Sequence, residues 1–378
     1  MISAKSPALA FSADPPPKTV LSNDSKELIT RQQPPTSSTV AYKPLSLAVD
    51  SPFGMGTATV PVACWYLINK DNVPKYDEEL IVSSSSPPAL TYPHRISVKK
   101  IGQLLANWDW IPDLAARDFQ LQPSSAVVVD GQALSLPTRG PVVFLAHGYL
   151  GSRFDLSHLA EALAAEGFIC FSPEYPESLA ASYNRMEGLD RSEITNQLLE
   201  AVEKNWNVHA TSYGIVGHSL GCGTAIRTGD ESWARVCIAG FPGGAAAQIP
   251  GSVLFVSSMN DGAVSLSRFG GKSAIPPDYV QLDEKELFVS TTAEPKELPS
   301  RAALIFDRPD APNHISFLAE GVNDAMIDLL SPLLPVAQAL SIPVLDFDRY
   351  QVSRDSQVTA EVMRPLVTRY LKQHMRMA

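Results

Sequence analysis

The pentapeptide Gly217-His218-Ser219-Leu220-Gly221 is the segment whose residue types and spacing point most directly to chemistry. It follows the apolar run Tyr213–Val216 and opens the segment Leu220–Thr228, so it reads as a strand, a sharp turn and a helix. At average glycine and serine usage, a chance Gly-x-Ser-x-Gly in a chain of this size has odds of about one in eight. The flanking elements therefore carry the argument. A serine on such a turn is held in a strained backbone conformation, and the glycines two residues to either side let neighbouring chains approach without a Cβ clash. The turn lifts the hydroxyl above the sheet and aims the first helical N–H groups at developing negative charge. Ser219 is the candidate nucleophile.

A serine hydroxyl needs a base to take its proton and a carboxylate to orient that base. On a strand–turn–helix nucleophile the chain order is Ser, acid, His. Of the seven histidines only His314 and His374 follow Ser219. His374 lies in the charged terminal segment YLKQHMRMA and is expected to be solvated. His314 follows the apolar run Ala302–Phe306 on the loop of ALIFDRPDAPNHISF, and is the candidate base. Asp261 closes the run Ser252–Ser257 in Met259-Asn260-Asp261-Gly262, where the glycine suits a turn that presents a carboxylate. Asp307 and Asp310 are rivals for that role, or turn residues. The run Pro141–Ala146 ends in His147-Gly148-Tyr149. The N–H groups of Tyr149 and Leu220 are the expected oxyanion donors, worth on the order of 3 kcal/mol each. His147 precedes the nucleophile, so it is expected to shape this loop through a hydrogen bond rather than serve as the base.

The elements that must position these groups follow from the apolar pattern. Runs at Pro141–Ala146, Phe168–Ser172, Tyr213–Val216, Arg235–Ala239, Ser252–Ser257 and Ala302–Phe306 fit short buried strands. Asp155–Glu166, Ser192–Asn205 and Leu220–Thr228 have helical spacing. Their alternation predicts an α/β chain with a mostly parallel central sheet covered by helices on both faces, and a ligand crevice beyond the carboxyl ends of the strands. Upstream, Val60–Ile68 reads as a strand, and Ala126–Leu136 as a hairpin around Asp130-Gly131. Residues 1–45 read as a Pro-rich disordered tail, leaving residues 46–378 as one domain. Residues 263–300 interrupt the repeat as an insertion, and Asp324–Leu340 is an apolar, helical stretch broken by Pro332 and Pro335. Either segment is a lid candidate, or an ordinary surface insertion and an ordinary core helix.

The chain has 378 residues, 45% of them hydrophobic and 19% charged, which suits a soluble globular core. Thirty basic against 40 acidic residues give a net charge of −10. That balance argues against a nucleic-acid partner and against broad attachment to anionic membranes. Cys64, Cys170, Cys222 and Cys237 are scattered without a CxxC pair, as expected of a reduced intracellular chain. Cys170 and Cys237 lie within apolar runs and should be small buried hydrophobes. No metal, nucleotide or flavin motif is present, so the chemistry should need no cofactor.

On these residues the chain resembles the α/β-hydrolase superfamily over roughly Val60 to Met375. The stretch HGYLGSRFDLSHLAEALAAEGFICFSPEYPESLAASYN, the elbow GHSLGCGTAI, the loop NHISF and the upstream WDWIPDL (Trp108–Leu114) resemble platelet-activating-factor acetylhydrolases. Chlorophyllases have a similar His-Gly loop and elbow, with Arg-Gly after the serine where Leu220-Gly221-Cys222 stands here. Both branches draw the acid from the strand after the elbow helix. Here that strand ends Ala239-Gly240-Phe241-Pro242-Gly243-Gly244 without a carboxylate, which moves the acid to Asp261. The candidate site and this resemblance imply a serine carboxylic-ester hydrolase; the apolar stretch Asp324–Leu340 points to a lipophilic ester as substrate and, as a lid, to transient contact with a lipid surface. The first alternative is a chlorophyllase releasing phytol; the stretch Ser6–Pro15 resembles the cleavage region of algal plastid leaders, which sets a plastid beside the cytoplasm as expected location. The second is a binding scaffold without catalysis.

Overall fold

The computed structural model describes residues 38–54, 56–69, 90–106, 110, 116–125, 128–180, 189–240, 243–266, 270–285, 287, 297–330 and 354–375. In chain order the main elements are β1 (Ser38–Asp50), β2 (Thr57–Asn69), β3 (Tyr92–Ile96), α1 (Val98–Ala106), β4 (Arg117–Leu121), β5 (Val128–Asp130) and β6 (Arg139–Ala146). They continue with α2 (Ser157–Ala165), β7 (Ile169–Pro173), α3 (Arg191–Lys204), β8 (His209–His218), α4 (Leu220–Arg227), β9 (Ala234–Ile238) and β10 (Ser252–Ser258). The last are β11 (Val280–Leu282), β12 (Arg301–Phe306), α5 (Glu320–Leu330) and α6 (Ser356–His374).

One sheet runs β11-β12-β10-β9-β8-β6-β7-β2-β1-β5, and β3 pairs with β4 in a separate ribbon. From β11 to β7 every pairing is parallel, and β2 then runs antiparallel to β7. Strands buried on both faces explain the continuous apolar runs. Successive residues of β6 alternate between two cores: Val143 and Leu145 face one side, Val142, Phe144 and Ala146 the other. Leu159 and Leu163 of α2, Val322 of α5 and Leu366 of α6 complete the first core. Ile194 and Leu198 of α3 and Ala225 of α4 complete the second. This strand order, with helices on both faces and β8 turning directly into α4, is that of an α/β-hydrolase fold. All four cysteines are free and buried.

Three expectations change. The tail does not extend to residue 45: β1 begins at Ser38 and pairs with β2 along its whole length. Pro44 hid it, but Pro44 lies beyond β5, which pairs only with Val40–Tyr42, so it sits where β1 has a neighbour on one side. Residues 1–37, including the plastid-like stretch, lie outside the described residues. Residues 128–130 do not pair back on residues 131–136 as a hairpin would. Instead β5 lies parallel to β1, and Lys43 Nζ donates to the carbonyls of Gln132 and Leu134 at 2.6 Å each, fixing the turn. Within 263–300 the described part supplies β11, the strand at the sheet edge beside β12, rather than a cover over the site. Of Asp324–Leu340, the part to Leu330 is helix α5, and the rest lies outside the described residues, as does WDWIPDL apart from Trp110. No helix among the described residues is long and apolar enough to cross a membrane.

Candidate active site

Ser219 occupies the junction between β8 and α4 with φ 54° and ψ −118°, a left-handed strain that a side chain rarely adopts. Two glycines make the turn feasible. A Cβ on Gly217 would collide with the Gly221 carbonyl, and one on Gly221 with the Ala146 carbonyl, backbone against backbone in both cases. Ser219 N–H donates to Ile238 O at 2.8 Å, tying the turn to the end of β9, and Cys222 N–H donates to Ser219 O at 2.9 Å. The hydroxyl is thereby fixed at the carboxyl end of the central strand.

His314 reaches it from the loop after β12. Its Nε2 lies 2.9 Å from Ser219 Oγ and its Nδ1 lies 2.8 Å from Asp261 Oδ2. Asp261 is fully buried, and its Oδ1 accepts from the N–H groups of Ala263 and Val264 at 2.9 and 2.7 Å. Burial opposes its charge. The neighbouring His314, its hydrogen bond and the Val264 amide outweigh that, and hold the carboxyl below the usual range. An ionised Asp261 assigns the proton on His314 to Nδ1, which leaves Nε2 to accept from the serine hydroxyl. The rival carboxylates point elsewhere: Asp307 pairs with Lys272, and Asp310, 61% exposed at its side chain, lies 3.6 Å from Arg354 Nη2. His374 is not solvated as expected; it is half-buried, bonds Leu298 O at 3.1 Å and packs on Tyr370.

The histidine loop is held by side chains the sequence did not single out. Asn313 Oδ1 accepts from the amides of Ile315 and Ser316 at 2.9 and 2.8 Å, turning the chain immediately after the histidine. Asn260, beside the acid, donates from Nδ2 to Pro309 O and Ala311 O at 3.0 and 3.1 Å. His218 Nε2–H donates to the backbone carbonyl of His314 at 2.9 Å. Burial, with His314 close by, lowers the His218 pKa to about 3, so it stays neutral. His218 had a visible signal, as the variable residue inside the elbow motif. The asparagines had none beyond a preference for turns.

The His147–Tyr149 loop lies against the elbow. A Cβ on Gly148 would come 3.1 Å from Ser219 Cβ, so a side chain there would crowd Ser219 and glycine gives the approach its room. His147 is buried and serves the loop rather than the serine: Tyr175 N–H donates to its Nε2 at 2.9 Å, and its Nδ1–H donates to Gly148 O at 2.8 Å. Burial, then the Arg191 charge, push its pKa well down and keep the ring neutral. Leu220, as the first residue of α4, has an N–H with no acceptor inside its helix. Tyr149 and Leu220 are 38% and 40% exposed, and the Tyr149 hydroxyl donates to the Leu104 carbonyl. A hydroxyl, an imidazole and a buried carboxylate in hydrogen-bonded series form a relay able to deprotonate the hydroxyl as it attacks.

No family model matches the chain, and no curated protein matches it. Among solved structures, a ferulic acid esterase from Streptomyces cinnamoneus is similar at 17% identity, over 91% of this chain and 92% of that one, with a TM-score of 0.45. An esterase of Pyrococcus furiosus is similar at 11% identity over 97% of this chain and 100% of that one, with a TM-score of 0.39. A dienelactone hydrolase from Anabaena variabilis is similar at 14% identity over 77% and 96% of the two chains, with a TM-score of 0.34.

Proposed function

We propose that the protein is a serine carboxylic-ester hydrolase that works through an acyl-enzyme on Ser219. The observation that carries this reading is the series Ser219 Oγ, His314 Nε2, His314 Nδ1 and Asp261 Oδ2, with gaps of 2.9 and 2.8 Å. In the reaction, His314 Nε2 takes the hydroxyl proton while Oγ bonds to the ester carbonyl carbon. The carbonyl oxygen gains the negative charge, and the backbone N–H groups of Tyr149 and Leu220 receive it. Collapse of the adduct breaks the bond to the alcohol oxygen, which takes the proton from His314. Water then repeats the sequence on the acyl-enzyme and frees the acid. Asp261 stays ionised throughout, holding the imidazole tautomer and stabilising the imidazolium.

The substrate reading is a lipophilic ester, such as a short-chain acyl phospholipid or a general lipase substrate. The exposed apolar Leu220, directly after the serine, supports it. The reading is tested with an alkyl fluorophosphonate and p-nitrophenyl butyrate. Wild type should label once per chain and turn over, and Ser219→Ala should do neither. Labelling that survives Ser219→Ala, or a wild type that remains unlabelled, overturns it.

A further inference from the structure

We propose that Arg191 is a positioning residue for the oxyanion hole, because its guanidinium and the His147 ring together fix the plane of the Gly148–Tyr149 peptide. The inference rests on the reading of Ser219 as nucleophile and names a part of that site which neither the motif nor the chain order reveals.

Arg191 is the first residue of α3, more than forty positions from the loop it holds, and it is buried. Its Nη1 donates to His147 O at 2.7 Å and its Nη2 to Gly148 O at 3.2 Å. Gly148 O also accepts from His147 Nδ1 at 2.8 Å, so two donors grip one carbonyl. That carbonyl belongs to the peptide whose N–H is the Tyr149 amide. The bond is trans and planar, so the N–H must point away from the oxygen. Holding the carbonyl down onto the guanidinium therefore turns the Tyr149 N–H to the opposite side of the peptide. Gly148 itself rests on Ser219, so this rigid unit abuts the nucleophile. A cation behind the carbonyl also polarises the peptide and makes its N–H a stronger donor.

The guanidinium is itself held. Nε donates to Glu177 Oε2 at 3.1 Å, and the Tyr175 ring lies 4.4 Å from its central carbon. Glu177 O accepts from Leu150 N–H at 3.1 Å, and Tyr175 N–H bonds the His147 ring. The segment around Glu177 thus supports both the arginine and the loop. Leu150, with φ 62°, takes up the turn that this grip imposes. An ordinary strut needs one bond to the loop; here both carbonyls before the donor amide are engaged by one rigid fork.

The test compares wild type with Arg191→Met and Arg191→Lys on p-nitrophenyl butyrate, with butaneboronic acid as a tetrahedral adduct former. In Arg191→Met, kcat should fall about 10- to 100-fold with KM within about threefold, and the boronate inhibition constant should rise by the same factor. Arg191→Lys, a charge without the fork, should lose about 3- to 10-fold in both quantities, and it decides alone if the methionine variant does not fold. Stoichiometric fluorophosphonate labelling should persist in both variants. Losses in kcat without a matching loss of boronate affinity, or changes within twofold in both, overturn the proposal and leave the Ser219 reading standing. A wild type that takes no fluorophosphonate instead sinks the Ser219 reading itself.

Discussion

Replacing Asp261 by asparagine separates orientation from shape at the centre of the site. The amide oxygen can still accept from the Ala263 and Val264 amides, which bond Oδ1 at 2.9 and 2.7 Å, so the turn after β10 should persist. The NH2 group then replaces Oδ2 beside His314 Nδ1, and two donors cannot share that hydrogen bond. The imidazole must move its proton to Nε2, against Ser219 Oγ, where a lone pair is required. The variant also removes a buried charge whose centre lies about 4 Å from the imidazolium; at an effective dielectric of about 20, that attraction is about 4 kcal/mol. That figure alone predicts a loss of about 10³-fold. A wrong tautomer in such a relay costs about 10⁴-fold, so kcat on p-nitrophenyl butyrate should fall by about 10³ to 10⁴. Thermal melts should show a folded variant. A loss below about tenfold, or an equal loss in Asp307→Asn or Asp310→Asn, would refute the assignment of the acid.

Two further outcomes concern stability. Gly221→Ala drives a Cβ into the Ala146 carbonyl with no flexible partner to yield, so it should destabilise by about 3 kcal/mol or more; a melt unchanged within about a degree counts against the crowded elbow. Burial raises the Asp155 carboxyl from 3.8 to about 7, so the native protein keeps a proton that the unfolded chain has released across that interval. Its contribution to stability is complete below about pH 4 and is lost as the pH rises to about 7, by at most about 4 kcal/mol. Asp155→Asn keeps an acceptor for the Ser152 amide and hydroxyl, and should flatten the urea-derived stability profile over that range; an unaltered slope would refute it.

The site was legible where its signals are local. The elbow announces itself through glycine spacing, because the collisions at Gly217 and Gly221 are with backbone and exclude every other residue. Asp261 was found because it closes a buried run, which marks a strand end, and His314 because only two histidines follow Ser219 and this one lies on the loop after a buried run. The strands β6 to β10 and β12 of the parallel region were recovered because burial leaves an apolar string, whereas β11, mostly exposed at the sheet edge, was read as part of an insertion. β1 was missed because one face carries polar residues and Pro44 interrupts the run. β5 has three residues, too few to show a period, and its partner was set by tertiary pairing with β1. The grip of Arg191 on His147 and Gly148 and the bond from His218 to His314 join residues 43 to 96 positions apart. An arginine at a helix start or a histidine in a turn carries no mark of such a distant partner.

The position of Asp261 beside His314 follows from sheet geometry rather than from the strand on which a carboxylate is expected. Ser219 follows β8, and the loop carrying His314 leaves β12, with β9 and β10 between them. At about 4.8 Å per strand the loop must cross about 14 Å to reach Ser219, well within the reach of the eight residues from Asp307 to His314. It passes over the end of β10, where Asn260 holds its Pro309 and Ala311 carbonyls, and lands on β8, where His218 holds the His314 carbonyl. A carboxylate at the end of β10 therefore stands beneath the incoming imidazole. β9 and β10 are parallel, with Ile238 opposite Val256, so their ends reach the same rim and either strand could present an acid to that space. On β9 the corresponding exit is Ala239, buried with φ 52° and its N–H bonded to Val256 O at 2.8 Å; at the next residue, Gly240, a Cβ would collide with Cys222 Sγ. At Gly240 there is no room for a side chain, and the carboxylate beside His314 comes instead from the end of the adjacent strand.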